Sequence, residues 1–74
     1  MYGRHDLIWD GNQLRLFSRS GRVVASIEAD QAWHGMWRVR LSNGHLTDMV
    51  NLSRAKDAAA SHALATLNRR QEAA

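Results

Sequence analysis

Reversals of this chain are left to glycine. The sequence has no proline, and Asp10-Gly11, Ser20-Gly21 and Asn43-Gly44 each stand between runs rich in β-branched, aromatic and alternating residues. Asp-Gly and Asn-Gly supply the positive φ that tight hairpin turns demand. The spacing predicts strands at 6–9, 13–18, 22–28, 36–42 and 45–50. Only 29–35 (ADQAWHG) makes a longer connection. Short links between consecutive strands build an antiparallel meander.

After the last strand the pattern changes. Residues 53–70 (SRAKDAAASHALATLNRR) hold six alanines and no glycine, which reads as a helix. Ser53 is the expected N-cap, and the tail 71–74 is expected to fray. A helical wheel gathers Leu52, Ala59, Ala60, Ala63, Leu64 and Leu67 on one stripe. The fold class expected is α+β: an antiparallel β-meander of four or five strands with one carboxy-terminal α-helix packed on one face. The 74 residues form a single domain, 1–74.

A two-residue turn at Asn43-Gly44 sets a register for its hairpin. Trp37, Val39, Leu41, Leu46 and Val50 share the helix-facing side, with Asp48 among them, and Arg38, Arg40, Thr47 and Met49 share the other. Alternation along 22–28 turns Val23, Ala25 and Ile27 inward and adds Arg22, Val24, Ser26 and Glu28 to the outer face. Arg15 and Phe17 join from 13–18. Two charges break the apolar side, Asp48 and Lys56. Either they meet near the helix entry, or each caps nearby backbone, or a β-bulge rotates Asp48 outward while Lys56 reaches water. Trp33 is expected to fold over the edge of the core; the alternative is a projecting, partner-anchoring side chain.

The chain carries 10 basic and 7 acidic residues, a formal charge of +3. Residues 1–34 balance, so the surplus lies in 35–74. It can attract an anionic partner or serve solubility alone. There is no cysteine, hence no disulfide or thiolate metal site. His5, His34, His45 and His62 lack metal-ligand spacing. No phosphate loop or nucleophile elbow occurs. The expectation is a protein that is not an enzyme and uses no metal or cofactor. No apolar run is long enough to span a bilayer, and MYGRHDLIWDG lacks a signal-peptide core, so no membrane association and a cytoplasmic location are expected.

The block WRVRLSNGHLTDMVNLSRAKDAAASHAL resembles DNA-binding domains of the AP2 type and the amino-terminal domains of phage-type integrases. In both, a three-stranded sheet backed by a helix reads the major groove. Trp37, Arg38 and Arg40 stand where the AP2 pattern has its Trp and basic strand residues, and Asp57-Ala58-Ala59 stands in the first helical turns. The block also resembles that of small bacterial proteins, which brings no activity with it. Two functions stay open. The first is a non-catalytic module that binds nucleic acid through Arg22, Arg38, Arg40 and Thr47. The second is a protein-interaction or homodimerisation module that uses the apolar members of the same face or a sheet edge.

Overall fold

The computed structural model describes residues 1–18 and 20–73, the side chains of 70–73 excepted. A 3₁₀ turn at Arg4–Asp6 leads into β1 (Leu7–Asp10), β2 (Gln13–Leu16), β3 (Val23–Ala29), β4 (Met36–Leu41), β5 (Val50–Asn51) and α1 (Leu52–Ala73). The strands lie in chain order and pair antiparallel throughout. One helix covers one face, mainly over β3 and β4. The architecture is the α+β meander expected from the turn signals. No helix of the described residues is long and apolar enough to cross a membrane.

Directly opposed residues share a face, so the register defines the layers. Trp9 lies opposite Leu14, Leu14 opposite Ala25, Ala25 opposite Leu41, Ile27 opposite Val39, and Trp37 opposite Val50. This side meets Ala55, Ala59, Ala60, Ala63 and Leu67 of α1. Val39, Ala55 and Ala59 are fully buried, and Leu14 is nearly so. Alanines let the helix backbone approach the sheet while Leu14, Ile27 and Val39 fill the space between. Leu64 lies at the margin, half-buried.

Two irregularities correct the expected alternation. Leu14 pairs with Ala25 but Arg15 pairs with Val23, so Val24 is an extra residue in β3. This bulge turns both Val24 and Ala25 into the core and leaves Val23 outside. It also carries Arg22 to the helix side, where Arg22 lines a small cavity with Val24, Ser42, Ala63, Thr66 and Leu67.

The second lies after β4. The Gly44 amide donates to Leu41 O at 2.9 Å, and the Leu41 amide donates to His45 O at 2.9 Å. The loop therefore has three residues, with Gly44 at φ +89° closing it. Arg40 faces Leu46, one position off the expected register. Asp48 and Met49 then both oppose Arg38, which restores Trp37 opposite Val50. The strand expected at 45–50 shrinks to a bridge at Leu46 and the two residues of β5.

The bulge leaves Asp48 exposed, in keeping with the outward rotation that is one of the readings for that residue. No Asp48–Lys56 pair forms. The Lys56 ammonium sits 5.5 Å from the Trp9 ring centre instead, a cation–π contact on the β1 side of the helix. The N-cap is Asn51, not Ser53: Asn51 Oδ1 accepts the Arg54 amide at 2.9 Å. β5 thus runs into α1 without a loop. At the other end the helix continues through Gln71 to Ala73, past the expected fraying point, as Gln, Glu and Ala are good helix formers. Ala74 lies outside the described residues. The start of the chain is tied along the helix. The Tyr2 amide donates to Asn68 Oδ1 at 2.7 Å, and Arg4 reaches Asp57 at 2.8 Å and Ser61 at 3.1 Å.

Candidate interaction surface

The sheet face away from α1 is built by Ile8, Arg15 and Val23 in one cross-strand row, Ser26 and Arg40 in a second, and Glu28 and Arg38 in a third. Arg38 and Arg40 therefore stand side by side on the uncovered face, as the strand pattern requires. Their charges are not free. Arg40 reaches diagonally to Glu28 at 3.0 Å, and Arg38 reaches diagonally to Asp30 at 3.2 Å. Arg38 also donates to Thr47 O at 3.2 Å. Arg15 meets Asp10 at 3.1 Å, Gly21 O at 2.8 Å and Gln13 Oε1 at 2.8 Å. Pairs open to solvent add little stability, the partly covered Arg38–Asp30 pair excepted. They do cancel the field that would draw in an anion. A face expected to be basic holds three guanidinium groups matched by three carboxylates.

The other two expected contact residues lie elsewhere. Arg22 sits on the helix side. The Thr47 hydroxyl accepts the Val39 amide at 3.0 Å and donates to Asp48 O at 3.3 Å. That side chain is occupied in holding the second bulge. It also lines an open cleft of about 470 Å³ with Asp48, Val50, Arg54, Asp57, Ala58 and His62. Among the described residues, no three His, Cys, Asp or Glu side chains converge as metal ligands would.

Asp30 organises the connection between β3 and β4. Its Oδ1 accepts the amides of Ala32 at 2.8 Å and Trp33 at 2.9 Å, while Oδ2 takes Arg38. This is an Asx-type turn, legible only as an aspartate following a strand. The turn holds Trp33 outward at 61% exposure, which corrects the expectation that it covers the core edge. The two backbone amides, with Arg38 adding to them, hold the Asp30 carboxyl below its ordinary value of 3.8. A depressed folded-state pKa contributes stability that is present above the unfolded value and lost as pH falls through the folded one. The Ala32 and Trp33 amide shifts should accordingly titrate with a midpoint below that of a free aspartate, and Asp30→Asn should abolish that titration. A midpoint at or above the ordinary value would contradict the turn.

Apolar side chains also surface on the outer face. Ile8 is 48% exposed, Val23 37% and Phe17 69%. Arg15 stands opposite Ile8 on one side and Val23 on the other, and Phe17 follows two residues on. Of the apolar residues expected here, Phe17 is present, Val24 is buried and Met49 is half-buried in the bulge. Ile8 and Val23 take their place. Beside them β1 is an edge strand, paired only with β2. No protein family, curated protein or solved structure matches the chain.

Proposed function

We propose that this protein is a small non-catalytic interaction module that self-associates through the Ile8–Phe17–Val23 end of its outer sheet face and the adjoining β1 edge. The observation that carries the reading is the exposure of three large apolar side chains, Ile8 on β1, Phe17 just past the end of β2 and Val23 on β3, beside the β1 edge. Clustered exposed apolar surface favours a protein partner, and an open edge offers backbone groups for pairing. The matched charges beside the patch support the same choice. A face whose guanidinium groups are already matched by carboxylates does not repel a second copy of itself, whereas a phosphate backbone meets as much repulsion as attraction there.

Sedimentation across a wide concentration range tests this. The wild-type chain should show a concentration-dependent mass. The double substitution Ile8→Thr with Phe17→Ser should weaken association by about tenfold or more, since each removes apolar area from the contact. Both positions face solvent, so the helix and sheet circular-dichroism signals should persist. A strict monomer at high concentration, or a dimer indifferent to both substitutions, would rule the proposal out.

A further inference from the structure

The positive charge of the molecule is segregated by layer. Arg4, Arg15, Arg38 and Arg40 are each paired with a carboxylate. Among the described side chains, the basic residues outside these pairs are Arg22, Arg54, Lys56 and Arg69, and the acids outside them are Asp6 and Asp48. Three of those four bases belong to α1, and Arg22 lies against it beside Thr66. Among the described side chains the surplus therefore sits on the helix layer and not on the sheet. Along the outward side of α1, Arg54, Ala58, Ser61, His62, Ala65 and Arg69 recur at helical spacing on one strip. Every one is exposed except Ala58, which is half-buried.

We propose that this strip, flanked by Arg22, is a contact surface for the phosphate backbone of nucleic acid. Arg54 to Arg69 spans about 22 Å at the helical rise, so the two guanidinium groups, with the His62 imidazole between them, track a linear repeating anion. Ala58, Ser61 and Ala65 are short enough for a backbone to approach the helix closely. Both arginine side chains are exposed, and among the described residues neither makes an ion pair or hydrogen bond. Among the described side chains outside the ion pairs, one acid borders the strip: Asp48 lines the cleft shared by Arg54 and His62. Asp57, in the same cleft, is held by Arg4. Set against Arg54, Arg69 and Arg22, Asp48 leaves the described side chains of the strip positive. The strip offers no large apolar side chain to insert into a bilayer, which disfavours a lipid surface. The contact is with the backbone and carries no base readout.

Fluorescence anisotropy with a labelled duplex of about 20 base pairs, read from about 50 to 200 mM salt, tests the assignment. Affinity should fall steeply with salt. The Arg54→Ala, Arg69→Ala double variant should lose about tenfold in affinity and about two units of the salt slope. The Arg38→Ala, Arg40→Ala double variant should bind as the wild type does. The assignment is overturned if no duplex binds at the lowest salt, if the helix variant binds unchanged, or if the loss follows Arg38 and Arg40 instead. It is equally overturned if vesicles of anionic phospholipid bind and the duplex does not. Self-association can fail while this binding stands, and the reverse, so the two results are separable.

Discussion

Leu14→Ala should lower the melting temperature by at least about 10 °C, and at physiological temperature a large share of the chains should be unfolded. Leu14 lies at the crossing of β1, β2 and β3, opposite both Trp9 and Ala25, and is almost wholly buried. Truncation removes its transfer free energy and leaves a cavity, at a cost of about 2–5 kcal/mol. A chain of this length has about 4–11 kcal/mol of total stability to lose. The cavity cannot collapse easily, because half of the buried core cluster that Leu14 belongs to is alanine, which has no side-chain length with which to follow. Thermal unfolding read by far-ultraviolet circular dichroism checks the figure; a loss of only a few degrees would mean that Leu14 is not enclosed.

Ala59→Leu should be damaging for the opposite reason. Ala59 is fully buried between α1 and the sheet, and the close layer spacing depends on its having no more than a methyl group. Added methylenes force either off-rotamer side chains or a lifted helix, at about 1–3 kcal/mol and sometimes more. Ala65→Leu, one and a half turns on but exposed, should change the melting temperature little. Equal effects at the two positions would contradict the packing.

These two positions mark what could be read from residues alone. The alanine stripe and the alternation of Trp37, Val39 and Leu41 against Arg38 and Arg40 are periodic signals, and periodicity survives in any context. The layers, the order of the strands and the uncovered side of β4 follow from them. The departures are local insertions. Val24 is one extra residue among valines and alanine, and nothing in that composition marks a bulge. The three-residue loop at Ser42–Gly44 shares its Asn-Gly signal with the two-residue turn. Asn51 rather than Ser53 caps the helix because β5 ends directly against it. The site was harder to read than the fold. A strand shows which face an arginine occupies, but diagonal partners such as Arg38 with Asp30 depend on register and on a turn that delivers the carboxylate. Arg22 changed sides because of a single inserted residue upstream of Ala25.

The central claim is that the outer face is electrically matched and meets its partner through apolar area, with the unmatched charge kept on the helix. The most direct measurement is the dimerisation constant of the wild-type chain by sedimentation at low and at high salt. Contact through apolar area should hold or tighten as salt rises, because screening touches little of it. A dimer that dissolves as salt is added would place charge, not apolar contact, at the interface and would contradict the account.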